Sequence, residues 1–298
     1  MARFLQYLFN GLSYGSTYSL LALSLVIVYR GSGHLNFAQG EMAMLSAFFA
    51  WWYSGALPIW LAVLAAAVTA AVLGAITERV IIRPIGHRSQ FAVVVAAIGL
   101  FLGINALAPF AWKVTNPQSF GSLFPRDPDD FIRIGGAEWR YHNIGVLVVT
   151  LVLAGLLVLL FQRTKLGLAM RAVASNPESA PLVGIKTGQV LMSSWGLAAF
   201  VGAIGGALVA SNNTNVDAVM MFTIFFSASA AATLGGFDSI GGAVLSGLLL
   251  GVIENMAAGY QPDLIGQELR FTVSLLIILV VLLVRPSGLF GSQRVERV

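Results

Sequence analysis

The chain has 298 residues, 57% of them hydrophobic and 10% charged, with no cysteine and a formal net charge of +4. An ordinary soluble domain carries roughly 25% charged residues, so the composition excludes a soluble globular protein. Without cysteine there are no disulfides, thiolate metal sites or thiol nucleophile. No basic run interleaved with aromatics accompanies the positive charge, which argues against nucleic acid as a partner.

Nine stretches, at 11–29, 35–52, 58–76, 91–112, 144–161, 191–209, 218–234, 244–258 and 269–284, are apolar enough to cross or nearly cross a bilayer. A helical crossing needs about 20 residues, a helix satisfies its own backbone in lipid, and these runs lack the alternation of a membrane barrel. The sequence therefore predicts an all-α fold, a polytopic transmembrane helical bundle of about eight to nine spans forming one domain over 1–298. The second and eighth stretches are the least regular: Glu41 and small residues interrupt one and the other is short, so either can be broken or re-entrant. Arg3 before the first run suggests a signal peptide, but that run is as long as a full span and offers no convincing small-residue cleavage site. It is retained as a helix.

Orientation comes from charge. The connections at 77–90, 162–190 and 285–298 hold Arg79, Arg83, Arg88, Arg163, Lys165, Arg171, Lys186, Arg285, Arg294 and Arg297. The positive-inside rule turns these toward the cytoplasm, with the C-terminus, and puts an outer loop at 113–143. Counting back through nine spans places the N-terminus outside; one re-entrant early segment reverses it.

Glycine recurs at four-residue spacing inside the apolar runs, at Gly11 and Gly15, Gly99 and Gly103, Gly202 and Gly206, and Gly247 and Gly251. Each pair makes a flat stripe that another helix backbone can approach closely, so all four are expected at helix contacts.

A carboxylate at mid-bilayer costs about 2.5–3.5 kcal/mol on insertion scales and faces protein or water. Glu41 follows Asn36, Phe37, Ala38, Gln39 and Gly40. It reads either as part of a polar hinge lining a solute route, with Asn36 and Gln39, or as a carboxylate stabilised at a helix start. Glu254 and Asn255 carry the same two readings. On the first helix Ser13, Thr17 and Ser24 fall near one face beside Tyr14 and Tyr18; they line a pathway or bond their own preceding carbonyls. The run 211–215, S-N-N-T-N, is an outer vestibule or a hydrated turn.

The 162–190 connection is too long for a simple turn. Asn176 can cap a helix, Pro177 fits its first position, Glu178 suits its positive end, and Gly184 supplies a left-handed stop. A short helix over 177–183 follows, marginal alone and therefore packed on something, with the apolar segment 166–174 lying along the membrane or under the bundle.

Glu178-Ser179-Ala180 followed by Gly184 is similar to the E-A-A-x-x-x-G loop through which ABC importer permeases engage their ATPase, with Ser179 in place of the first Ala. Two further segments, GLSYGSTYSLLALSLVIVYRGSGHLNFAQGEMAM at 11–44 and AATLGGFDSIGGAVLSGLLLGVIEN at 231–255, resemble the branched-chain amino-acid ABC transporter permease family, where N-F-A-x-G-E and L-G-G-x-x-S-x-x-G-A recur. The matches lie in the expected order and, with the intervening spans, cover nearly the whole chain. Gln39 stands where that family often has His.

The resemblance implies a permease subunit of an ATP-driven importer in a bacterial cytoplasmic membrane, moving a branched-chain amino acid or related small polar solute. Its partners would be cytosolic ABC ATPase subunits, a second permease subunit and a periplasmic or lipid-anchored solute-binding protein, all against membrane lipid. The chain contains no G-x-x-x-x-G-K-[ST] phosphate loop, so ATP would be used by the partners and no cofactor or metal by this chain. Arg171, Asn176, Pro177, Glu178, Ala180, Leu182, Val183 and Gly184 would form the coupling element. Two paired glycines on either side of Asp238 and Ser239 give a second inner turn, a tight hairpin or a further ATPase contact.

The main rival is an ion-gradient-driven secondary transporter with Glu41 as its proton-linked group. A channel is disfavoured because Asn116-Pro117 and Asn176-Pro177 lie in loops. An enzyme is disfavoured because His34, His87 and His142 are scattered and no catalytic constellation converges.

Overall fold

A computed structural model describes residues 1–86, 90–176, 179–261, 269–285 and 287–291. In chain order the helices are α1 (Ala2–Ser32), α2 (Gln39–Ser54), α3 (Ile59–Thr77), continued by a π turn (Glu78–Ile82) into α4 (Arg83–Gly86), and α5 (Gln90–Trp112). There follow α6 (Tyr141–Arg163), α7 (Lys165–Ser175), a 3-10 turn (Ala180–Val183), α8 (Thr187–Asn213), α9 (Phe222–Gly235), α10 (Ile240–Tyr260) and α11 (Leu269–Val284). Short strands β1 (Gln118–Ser119), β2 (Phe131–Ile134), β3 (Ala137–Arg140) and β4 (Asn215–Val216) lie between them. All nine apolar stretches carry helix, yet among the described residues six helices are long and apolar enough to cross a membrane. The length of the eighth stretch is corrected: α10 is a continuous 21-residue helix. The short members are α2 and α11, with 16 residues each, and α9, with 14.

α1 is the axis of the bundle, enclosed along most of its length by α10, α8, α9 and α6. Its glycines explain the closeness of the antiparallel α10. A methyl group added at Gly11 would sit 2.7 Å from the Cα of Val252, and one at Gly15 would sit 2.7 Å from the Cα of Leu248. From the other side, one at Gly247 would meet the Cα of Ser19 at 2.8 Å, and one at Gly251 would run into Gly15 and Gly11. The two pairs read separately in the sequence are the two halves of one joint. Ser19 crosses it, its hydroxyl donating to the carbonyl of Val244 at 2.9 Å. Gly202 and Gly206 of α8 likewise receive Gln39 and Ala43 of α2. Gly99 and Gly103 depart from expectation. Nothing among the described residues lies within 4 Å of a methyl group added at either, because α5 is peripheral and turns that stripe away from the bundle.

α2 and α9 start inside the bundle, side by side. The Gln39 side-chain amide donates to the carbonyl of Ala198 at 3.1 Å; Ala198 lies eleven residues past Thr187, so about 16 Å along α8 at 1.5 Å per residue. A methyl group at Gly40 would sit 3.1 Å from the Cβ of Phe225, in the first turn of α9. From there α2 runs toward Trp112 at the end of α5, against which Phe48 stacks at 5.6 Å. α9 runs the opposite way and ends where the amide of Leu289 donates to the carbonyl of Leu234 at 2.7 Å. Two helices thus begin at mid-bundle and leave toward opposite ends.

The ends of the bundle differ. Arg30, Arg79, Arg83, Arg163, Lys165, Arg171 and Lys186 collect at one end, where Arg30 lies over the ring of Phe161. The other end carries the loop at 113–143. Its β2–β3 hairpin rests on the start of α1: Phe9 stacks on Trp139 at 4.8 Å, and Gln6 exchanges hydrogen bonds of 3.0 and 2.9 Å with the backbone of Glu138. β1 pairs antiparallel with β4, tying this loop to the α8–α9 connection.

Candidate functional site

A chamber of about 200 Å³, with several polar side chains on a mainly apolar wall, opens in the half of the bundle nearer the loop at 113–143. α1 contributes Tyr14, Thr17 and Tyr18; α8 contributes Val209, Asn212 and Asn213; α10 contributes Glu254. Met220 and, from the first turns of α9, Thr223, Ile224 and Ser227 complete the lining. Short α9 makes this possible, since its start leaves space between α1, α8 and α10 that a full-length helix would fill.

Glu254 is 2% exposed. The Ser227 hydroxyl donates to its Oε1 at 3.0 Å, and Ser274 of α11 donates to the same oxygen and shares a 3.0 Å hydrogen bond with Ser227. A buried carboxylate needs such donors, because leaving it unsatisfied costs more than a neutral group does. The end of α8 beside the chamber is braced from the loop at 113–143: the amide of Leu123 donates to the Ser211 hydroxyl at 2.8 Å, and Arg126 donates to the Ser211 carbonyl at 3.0 Å.

The six residues expected along a pathway divide. Tyr14 and Thr17 line the chamber, although the Thr17 hydroxyl donates to the Tyr14 carbonyl at 2.7 Å. Ser13 turns to α6 and donates to Asn143 at 3.2 Å. Asn36 donates to Gln39 at 2.9 Å and accepts from the amide of Ala38 at 3.1 Å, closing the start of α2. Glu41 accepts from Asn105 of α5 at 3.0 Å, and Asn105 also donates to the Ala218 carbonyl at 2.9 Å. Asn36, Gln39 and Glu41 therefore pin α2 to α8, α5 and the segment before α9, and none of the three is on the chamber wall. Ser24 donates to its own helix at Leu21.

Sequence reasoning missed Thr223, Ser227 and Ser274. The spacing of Thr223 and Ser227, one turn apart at the start of an apolar helix, was the available signal. Asn212 and Asn213 of the S-N-N-T-N run end α8 and line the chamber. A larger groove of about 620 Å³ between α2, α3 and α5 is lined almost wholly by apolar side chains and offers a polar solute little.

At the basic end the expected α-helix over 177–183 is corrected: among the described residues the structure has a single 3-10 turn, Ala180–Val183. Pro181 and the left-handed Gly184, at φ 82°, leave room for one turn only. Pro177 and Glu178 lie outside the described residues. The Asn176 side chain accepts from the amide of Ser179 at 2.9 Å. Ala180 is buried, whereas Leu182 and Val183 are 85% and 75% exposed, so the turn presents an apolar knob. Arg171 is on an exposed face of α7, whose other face buries Met170 and Val173 under the bundle. The glycine-rich turn after α9 is a covered hairpin: Gly236 and Gly288 approach to backbone contact, and Ser239 caps α10 through the amide of Gly242 at 3.0 Å.

Residues 7–283 match the family model described as "Branched-chain amino acid transport system / permease component". The chain is 30% identical to the high-affinity branched-chain amino acid transport system permease protein LivH of Salmonella typhimurium, over 99% of this chain and 98% of that one. It is also 30% identical to the corresponding protein BraD of Pseudomonas aeruginosa, with the same coverage. A weaker relative, 26% identical over 71% of this chain and 62% of the other, is the galactose/methyl galactoside import permease protein MglC of Haemophilus influenzae. Among solved structures, PsaBC from Streptococcus pneumoniae in complex with Fab shares the fold, with a TM-score of 0.51 at 13% identity over 95% of this chain and 92% of that one. With its apolar helices, its glycine joint and this match over almost its full length, the chain is a multi-pass membrane protein belonging to the branched-chain amino acid transport system permease family.

Proposed function

We propose that this chain is the permease subunit of an ATP-driven importer for a branched-chain amino acid. The observation that carries the reading is the chamber held inside a bundle of this family, beside the end of α8 braced from the loop at 113–143. The basic end faces the cytosol, with the C-terminus, in the bacterial inner membrane. Six long helices span the bilayer, and α2, α9 and α11 complete the set of eight to nine spans as shorter segments.

The outer loop at 113–143 receives a solute-binding protein, and a second permease subunit completes the route. Cytosolic ABC ATPases grip the loop at 162–190, where the Ala180–Val183 turn offers Leu182 and Val183 to an apolar socket while Arg171 and Lys186 pair with acidic groups on the partner. Movement of this knob passes through α7 and α8 to the chamber wall. Because the chain carries no phosphate loop, the energy enters through those partners.

Vesicles test this directly. The permease pair with its ATPases, lumenal ATP and external leucine-loaded receptor should accumulate leucine, and vesicles holding this chain alone should not. Uphill uptake by the chain alone under an ion gradient would establish the secondary-transporter reading instead.

A further inference from the structure

α3 and α5 both pack on α2 and barely touch each other, so α2 is the floor of the 620 Å³ groove between them. Small buried side chains, Ala70 of α3 and Ala199 of α8, make it deep. Trp52, Leu73 and Leu107 on its edges are exposed, on a bundle whose outer faces meet the bilayer. The groove therefore opens sideways into lipid. It runs about 15 Å along α2, from Met42 to Trp52, and about 18 Å along α5, from Leu100 to Trp112, at 1.5 Å per residue. One leaflet contributes about 15 Å of hydrocarbon, half of a core about 30 Å thick.

Three occupants compete for this space. Water needs two to four polar partners; the lining offers only Ser46 and Thr77, and the Ser46 hydroxyl already donates to the Met42 carbonyl at 2.6 Å. A helix from a second subunit is about 10–12 Å across, whereas 620 Å³ spread over the groove's length leaves a cross-section of about 35 Å², roughly 7 Å across. An extended hydrocarbon chain fits: advancing about 1.25 Å per carbon on bonds of about 1.5 Å, some 14 methylenes fill the length and restore the dispersion contacts that an empty groove forfeits. One end of the groove also suits a lipid head. Trp52 and Trp112 stand there with ring centroids 6.4 Å apart, and the exposed Lys113 follows Trp112. Tryptophan rings settle at headgroup level, and a lysine there attracts anionic lipid.

The geometry points to a bound anionic phospholipid: one acyl chain lies in the groove between α2, α3 and α5, with its phosphate head at Trp52, Trp112 and Lys113. The lipid belongs to the leaflet on the side of the loop at 113–143. Met42 on the groove floor adjoins Glu41, which Asn105 ties to α5, so the acyl chain buttresses the same α2–α5 joint from the membrane side. The inference goes beyond the importer reading and stands on the membrane bundle alone.

The test reconstitutes the assembled permease complex with phosphatidylglycerol carrying a photoreactive diazirine on its acyl chain. After illumination, peptide mass spectrometry should find Leu45, Phe49 and Ile104 of the groove labelled more than Leu102 and Val68, which are exposed outside it. The expected excess is roughly tenfold, the ratio given by a preference of about 1.4 kcal/mol for the site over bulk lipid. A111W, which places a large ring in the groove from an exposed position on its wall, should remove that excess and leave the labelling of Leu102 unchanged. Even labelling of the groove and the outer faces would overturn the inference, and so would an excess that survives in A111W. Labelling of the groove in the isolated chain but not in the complex would assign it to a second subunit and overturn the inference as well. Should A111W not assemble, K113Q decides: it should lower the groove labelling roughly fivefold, the scale of one lysine at an anionic surface, and an unchanged yield overturns the site as placed.

Discussion

A methyl group on Gly15 would lie 2.7 Å from the carbonyl oxygen of Gly247, closer than two such atoms can stand without moving a backbone. The α1–α10 contact can be this tight only because both helices omit a side chain at the crossing. G15V should therefore separate the two central helices and destabilise the protein by about 1–3 kcal/mol or more, the range for overpacking a filled core. G99V, on a stripe that touches nothing among the described residues, should fold as the wild type does. Thermal melting of the purified variants in detergent checks the pair, and equal losses would show that spacing, not contact, sets the cost.

Asn105 donates to both Glu41 and the Ala218 carbonyl, so it holds α5, α2 and the approach to α9 together. N105A should cost about 1–3 kcal/mol, the penalty for stranding buried acceptors. In a double-mutant cycle with E41A, the combined loss should be smaller than the sum of the single losses, since the two share one hydrogen bond. Additive losses would mean that Glu41 has its main partner elsewhere.

The exposed pair Leu182 and Val183 separates coupling from folding. Exposed substitutions usually stay within about 0.5 kcal/mol, so L182D/V183D should leave the melting temperature near the wild-type value. Copurification of the ATPase and leucine uptake should fall together. Retained copurification and uptake would place the ATPase contact elsewhere on the basic end.

Trp139 anchors the β2–β3 hairpin on Phe9. W139A removes a stacked aromatic pair worth about 0.5–1.5 kcal/mol beyond its burial, and it should free the hairpin from α1. Limited proteolysis in the loop at 113–143 should become faster, with receptor docking weakened and the bundle intact. Unchanged proteolysis would show that the Gln6–Glu138 backbone bonds suffice to hold it.

The sequence by itself determined the membrane bundle, the family, the charged end and much of the close packing. Those follow from local quantities: apolar run length, glycine spacing and the side on which Lys and Arg collect. It also marked Glu41 and Glu254 as residues needing an explanation. Only the tertiary structure shows what each of them touches, because a buried carboxylate is defined by its neighbours. Asn105 comes from α5, 64 residues beyond Glu41, and Ser274 from α11, the helix after that of Glu254. The same holds for Gly99 and Gly103, which share the spacing of Gly11 and Gly15 but lie on a peripheral helix. The chamber was hidden for a related reason: it exists where α9 begins late, and the start of a short helix among longer ones is a fact of packing in three dimensions.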